Sequence, residues 1–291
     1  MAELQDDVLE DLRQAVNYRR WVVDLTAPHL GSDPLEIGSG TGDYAADWAA
    51  LGLRVTASEA DPGRLERLRA RFEGDDRVSV RELVAPIRET ADHSAVVAVN
   101  VLEHIADDVA ALRAFAGLVR PGGKVVIFVP ALGWLMSRFD REIGHFRRYS
   151  RTELVGRTRA AGLRVDVCHH VNLVGVLGWL VVCRLLGGRP KAGPLLAVYN
   201  RLVVPLLRRI ESRWHPPIGQ SLLLVATVPD RRRSIGAAIV EGYRRQPQTA
   251  QEVGWADEAT HRMIAEAARV KLPGTRLLRK CWAASPSRRV G

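Results

Sequence analysis

The sequence is poor in cysteine, in long apolar runs and, over most of its length, in net charge. Only Cys168, Cys183 and Cys281 are cysteines among 291 residues, an odd, widely spaced set that offers neither a disulfide framework nor a CxxC metal pair. A reducing, cytoplasmic setting and no metal are the default expectations. The longest apolar run, Val171 to Cys183, covers 13 residues and includes Asn172 and two glycines, short of the roughly 18–20 a spanning helix needs. No transmembrane segment is expected. Met1 to Arg13 alternates acidic and apolar residues and lacks a basic n-region, which argues against a secretory signal. The formal charge of +9 is gathered at one end: residues 231–291 hold 13 Lys and Arg against 5 Asp and Glu, leaving 29 against 28 for residues 1–230. A nearly neutral body weakens the case for general nucleic-acid binding, which requires a basic face. The tail keeps that option for itself.

What is present is an alternating pattern with 47% apolar content, enough for a packed core. Apolar positions at helical spacing over 4–28 (Val8, Leu9, Leu12, Val16, Trp21, Val22, Leu25) predict an N-terminal helix. There follow strand Leu35 to Gly38, helix 43–51, strand Arg54 to Ser58, helix 62–72 and strand Val78 to Leu83. Strand Ala95 to Asn100, helix 107–119, a Pro121-Gly122-Gly123 turn and strand Lys124 to Pro130 come next. Strands alternating with amphipathic helices predict βαβ units and a parallel sheet covered on both faces. Residues 131–150 read as an arginine-rich loop, and Ser150-Arg151-Thr152-Glu153 as a capping box opening a helix. Strand Leu163 to Cys168 comes before the apolar stretch 170–218, whose glycines and prolines predict short inserted helices. The last strand is Ser221 to Val228. The domains expected are 1–30, 31–229 and a basic extension, 230–291.

Gly38, Gly40 and Gly42 stand between an apolar strand and a helix, where missing side chains let backbone N–H groups approach a ligand. A nucleotide-type ligand follows. The dinucleotide fingerprint would need glycine at 43, where the chain has Asp43. Glu59, 21 residues after Gly38 at the end of the next strand, is suited to accept ribose hydroxyls; Asp61 is a rival.

With LEIGSGTG (35–42), Glu59, NVLEHI (100–105) and LVRPGGKVVIFVPA (118–131), the chain resembles class I S-adenosylmethionine-dependent methyltransferases of the broad type 11/type 12 group over about residues 15–229. IGHFRRYSRTEL (143–154) and GQSLLLVATVP resemble a bacterial subgroup associated with cell-envelope glycan and lipid pathways. The resemblance implies a Rossmann-like, doubly wound α/β fold with a mostly parallel seven-stranded sheet and an apolar helical insertion before the last strand. It implies S-adenosylmethionine as cofactor, with Glu36, Gly38, Ser39, Gly40 and Gly42 along its methionine part and Glu59 on the ribose. Glu82 falls near the family's adenine-contacting acid, and Asn100 and Val101 border the methyl donor. Ser94-Ala95 stands where the family commonly opens strand four with Asp.

Transfer from a sulfonium is an in-line displacement, so alignment in a dry pocket is the main task. A base helps where the acceptor carries a proton. His145 is the first candidate and His104 the second. Arg147, Arg148 and Tyr149 are candidates for an anionic acceptor group, since guanidinium offers a planar donor fork. The stretch 170–218, with Arg184, Arg189, Lys191, Arg208 and Arg209, is compatible with an acceptor lid or a peripheral membrane face, hence a small-molecule or lipid-linked acceptor. Residues 231–265 faintly resemble the second helix and tail of ribbon-helix-helix antitoxins, and Arg269 to Gly291 lacks an apolar pattern. The competing readings are an NAD-type oxidoreductase and a non-catalytic regulatory protein with a nucleic-acid- or toxin-binding tail.

Overall fold

The computed structural model describes residues 4, 6, 13–189 and 193–230. The chain divides into two units, Met1–Val228 and Pro229–Gly291. Both readings of the tail fall in 231–291, outside the described residues, as do Val8, Leu9 and Leu12.

Seven strands among the described residues form one sheet: β1 (Leu35–Ile37), β2 (Val55–Glu59), β3 (Val78–Glu82), β4 (His93–Val99), β5 (Val119–Pro130), β6 (Arg164–Val171) and β7 (Ser221–Thr227). Their order is β3-β2-β1-β4-β5-β7-β6. The first five pair in parallel, while β7 runs antiparallel to both β5 and β6. This departs from the 3-2-1-4-5-6 order of the dinucleotide-binding fold. The winding reverses between β1 and β4, and ligands of such sheets bind in the crevice beyond the carboxyl ends of the strands at that point.

The period of two along β5 divides the core. Val126 and Phe128 pack on one face with Trp21, Trp48 and Leu68. Val125, Ile127 and Val129 pack on the other with Leu112, Phe115 and Leu154. The first face is covered by α1 (Val16–Thr26), α2 (Asp43–Ala50) and α3 (Pro62–Arg71), the second by α4 (Asp108–Gly117) and α6 (Arg151–Ala160). Asp61 caps α3 through the Arg64 N–H at 2.9 Å, which accounts for an acid considered as a rival to Glu59. The expected capping box at Ser150 and Glu153 is present.

Three expectations need correction. Helix α4 ends at Gly117, and β5 begins at Val119 and runs through the Pro-Gly-Gly segment, because Val119 already pairs with His93. Residues 131–150 are more than a loop: Ser137 and Asp140 form a second capping box that opens the short helix α5 (Arg138–Glu142). The insertion holds two long helical stretches rather than several short ones. In the first, α7 (Leu173–Trp179) continues into a π-helical segment, Leu180–Leu185. In the second, α8 (Pro194–Val198) runs through a π-helical segment, Tyr199–Val203, into α9 (Val204–Glu211).

Gly42 caps α2 with φ 78°, and a Cβ there would lie 2.6 Å from both Leu68 and Phe72. Gly42→Ala is therefore expected to destabilise the fold by about 2–4 kcal/mol, combining left-handed backbone strain with overpacking. A denaturation midpoint equal to that of the parent would contradict this.

Candidate active site

A cavity of about 780 Å³ lies at the strand ends, in the upper part of the range for small-molecule sites. Its wall combines strand-end residues, among them Glu36, Gly38, Ser39, Gly40 and Glu59, with residues of the insertion such as Leu177, Trp179, Val182 and Leu195.

The glycine loop and Glu59, separate features in the sequence, form one hydrogen-bonded unit. The Gly40 N–H donates to Glu59 Oε2 at 2.9 Å. The Ala60 and Asp61 N–H groups donate to Oε1 at 2.9 and 3.0 Å. Ser39 donates its N–H to the Ser58 carbonyl at 2.8 Å, and its hydroxyl accepts from the Ser58 N–H at 3.0 Å. Gly38, at φ 68°, has no room for a side chain, since a Cβ would lie 2.8 Å from Val101. Asn100 and Val101 also line the cavity. Glu36 is buried there; Oε2 has no partner, and burial pushes its carboxyl up to about 8.

Two of the expected cofactor residues are not brought in. Gly42 is absent from the cavity wall and serves the contact of α2 with Leu68 and Phe72. Glu82 is exposed at the end of the edge strand β3, opposite Glu59, and does not line the cavity. Asp43, which replaces the fingerprint glycine, is held by Arg71 at 2.8 Å and Thr41 at 2.9 Å.

His145 and His104 meet in the wall with ring centroids 4.6 Å apart. His145 Nδ1 lies 3.0 Å from Asp140 Oδ1, a partner the sequence reading missed although the Ser137-to-Asp140 spacing signals a capping box. Asp140 Oδ1 also accepts from Arg148 Nε at 2.8 Å, and Oδ2 accepts from the Ser137 N–H at 2.7 Å. Burial alone would raise this carboxyl, but the His145 and Ser137 hydrogen bonds and the Arg148 charge hold it at about 2. Burial, with His145 adjacent, lowers His104 to about 4, so it is neutral at pH 7.

Of the proposed acceptor-binding trio, only Arg148 reaches the cavity. Its guanidinium is occupied by Asp140 and lies 4.2 Å from the Trp179 ring centre. Arg147 and Tyr149 belong to the scaffold. Both donate to Asp108 Oδ2, at 2.6 and 2.9 Å, and Arg157 donates to Oδ1 at 2.8 Å. A buried acid is thereby satisfied by three donors.

Glu103 is fully buried with neither oxygen partnered. One of its oxygens and one nitrogen each of His104 and His145 lie within 4.8 Å of one another. Nitrogen and carboxylate donors gathered this closely are a set that metal sites also use. The expectation of no metal rested on sequence spacing and does not extend to this cluster. Burial raises the Glu103 carboxyl to about 8, so the folded chain holds a proton that the unfolded chain releases. The stability this supplies is complete below about pH 4.5 and is lost as pH rises through about 8, at up to ~1.4 kcal/mol per pH unit. Glu103→Gln is expected to flatten that decline, read by denaturant unfolding across the same window. A slope unchanged from the parent would show that Glu103 does not titrate there.

Residues 35–125 match the family described as methyltransferase domain. Among sequence relatives, the ubiquinone biosynthesis O-methyltransferase of Xanthomonas oryzae pv. oryzae (strain PXO99A) is 37% identical over 103 residues, 33% of this chain and 42% of the relative. That of Xanthomonas axonopodis pv. citri (strain 306) is 36% identical over 155 residues, 47% of this chain and 64% of the relative. The chain thus spans less than two thirds of the length of either. Among solved structures, a chain of the complex between the Haloferax volcanii Trm112 methyltransferase activator and a methyltransferase has a TM-score of 0.52 at 17% identity. The superposition covers 77% of this chain and 97% of that one, a likeness of fold. The matched segment contains the glycine loop, Glu59 and the lip of β4, and the departure from the dinucleotide order, β7 between β5 and β6, lies outside it. Residues 35–125 therefore carry a methyltransferase domain of the class I, S-adenosylmethionine-dependent type.

Proposed function

We propose that the chain moves a methyl group from S-adenosylmethionine to a hydroxyl of an apolar acceptor, with His145 as general base and Asp140 as the residue that positions it. The observation that carries the reading is the Asp140–His145 pair, in which His145 stands in the wall of the same cavity as the glycine loop and Asp140 is buried behind it.

The strand-end residues suit the cofactor. Glu36 Oε2 is a buried oxygen without a partner, and the ammonium of a methionine moiety would meet it and favour the ionised form. Glu59 Oε2 receives one N–H, from Gly40, and retains capacity for a ribose hydroxyl. Gly38 and Gly40, both at positive φ, leave the loop free of side chains where a ligand backbone approaches. When bound, the cofactor supplies an electrophilic methyl group on a sulfonium.

The remaining work is alignment and proton removal. An ionised Asp140 only accepts hydrogen bonds, so His145 Nδ1 carries the proton and the Nε2 lone pair is available. Nε2 lies 3.8 Å from Glu103 Oε1, too far for a direct hydrogen bond. A single acceptor oxygen can reach both atoms across that gap. As that oxygen attacks, its proton passes to Nε2, and the imidazolium forms beside the Asp140 carboxylate. Neutral His104 adds no competing positive charge.

Oxygen as the acceptor atom follows from the sequence relatives, which are O-methyltransferases of ubiquinone biosynthesis. An apolar, lipid-linked acceptor follows from Leu177, Trp179, Val182 and Leu196 in the cavity wall. No helix among the described residues is long and apolar enough to cross a membrane, so such an acceptor would be met from a peripheral position.

His145→Gln and Asp140→Asn are each expected to lower turnover by about 10²- to 10⁴-fold. The assay is S-adenosylhomocysteine release with bacterial lipid extract, and cofactor affinity should be unchanged. Parental turnover in His145→Gln would remove the base from this reading. Glu59→Ala is expected to weaken S-adenosylmethionine binding at least several-fold by calorimetric titration with the fold intact; unaltered affinity would assign the ribose to another group.

A further inference from the structure

We infer that the outward faces of the two helical stretches in the insertion form a docking surface for an anionic lipid bilayer, from which the acceptor passes into the cavity mouth they flank. This rests on the proposed transfer to an apolar acceptor. On the first stretch Val174, Leu177, Val181 and Leu185 are exposed, and on the second Leu195, Val198, Leu202, Leu206 and Ile210. Each set advances by three and then by four residues. Four residues overshoot an α-helical turn by roughly 40°, so repeated steps of four would wind such a stripe around its helix. The wider turns of the π segments, Leu180–Leu185 and Tyr199–Val203, offset that drift and keep each stripe on one side.

Charge names the partner. Residues 172–218 hold seven Lys and Arg against one acid, Glu211, so the rest of the nearly neutral body has a net negative charge. Glu211 is buried and caps the start of α7, accepting from the Asn172 and Leu173 N–H groups at 2.8 and 3.0 Å. Arg184, Arg201, Arg209 and Arg213 are exposed, and none makes an ion pair with a described residue. An apolar stripe edged by unpaired arginine is the composition of a helix that lies in an anionic interface. Trp214, half exposed after α9, is a residue type enriched at that depth. The stripes also reach the reaction chamber: Val174, Leu177 and Leu195 are exposed and line the cavity as well.

The test is co-sedimentation of the full chain with vesicles of phosphatidylcholine alone and of phosphatidylcholine mixed with phosphatidylglycerol. Binding to the mixed vesicles is expected. The triple variant Leu185→Ser/Leu202→Ser/Leu206→Ser keeps the net charge, so attraction through the basic tail is untouched; it is expected to bind at least roughly ten-fold more weakly. Arg184→Gln/Arg201→Gln is expected to lose the preference for phosphatidylglycerol in part. Unchanged binding of the triple variant would overturn the inference by assigning the bilayer to another segment. So would parental chains that ignore vesicles, or that form a dimer which the triple variant dissolves. Vesicle binding needs no turnover, and cofactor titration of the same variants tests the methyltransferase reading separately.

Discussion

At the carboxyl ends of β1 and β2, the Gly40 N–H donates to the Glu59 carboxylate while Ser39 is tied twice to Ser58. A loop with glycines at 38, 40 and 42, all at positive φ, loses more conformational freedom on ordering than any other composition would. Something outside the loop has to hold it. Glu59 does so, and a largely buried carboxylate in turn needs hydrogen-bond donors. The three N–H groups it accepts supply them. Loop order and acid placement are thus one problem with one solution, and it holds only because β1 and β2 are adjacent and parallel in register, Ile37 opposite Ser58.

The same chemical group is tuned in different directions across the site. Asp140 and Asp108 are each surrounded by donors that lower their carboxyls, Asp140 to about 2. Glu103 and Glu36 have unpartnered oxygens in burial and are pushed up to about 8. Groups whose environments drive their pKa values apart are the ones that divide acid and base work. Asp108 shows the limit of that rule: its donors Arg147, Arg157 and Tyr149 knit the segment after α5 to α4, and none of the four lines the cavity. A perturbed carboxyl marks a site only where a ligand can reach it.

The parts legible in the sequence were those with a short-range cause. The alternation of apolar strands with amphipathic helices, the glycine loop, the spacing to Glu59 and the capping box at Ser150 are all local patterns. The position and direction of β7 are not, because a uniformly apolar strand reads the same in either direction and beside any neighbour. Arg147 and Tyr149 were misjudged for a related reason. Their partner lies 39 and 41 residues upstream in the chain, and nothing around them announces it. Asp140 was legible in principle, as the fourth residue of a capping box. Its helix is only five residues long, and five residues carry too little periodicity to stand out from an arginine-rich loop.

The apolar insertion was visible as composition but not as architecture. A segment this rich in apolar residues is expected to be largely buried, yet here Val176, Cys183, Val204 and Leu207 face inward while the opposite stripes stand in solvent. The sheet shows where such a segment is joined to the body. It leaves after β6 at Asn172 and returns before β7 at Gln220, and those two residues are joined by the Gln220 N–H to the Asn172 carbonyl at 3.0 Å and by their side chains at 2.8 Å. Both ends are therefore pinned at one hydrogen-bonded point beside an intact antiparallel ladder. What lies between has two sides: Val204 and Leu207 join the core cluster of Val171, Leu223 and Val225, and Trp179 covers Arg148, while the outer stripes are left to meet what lies outside the protein.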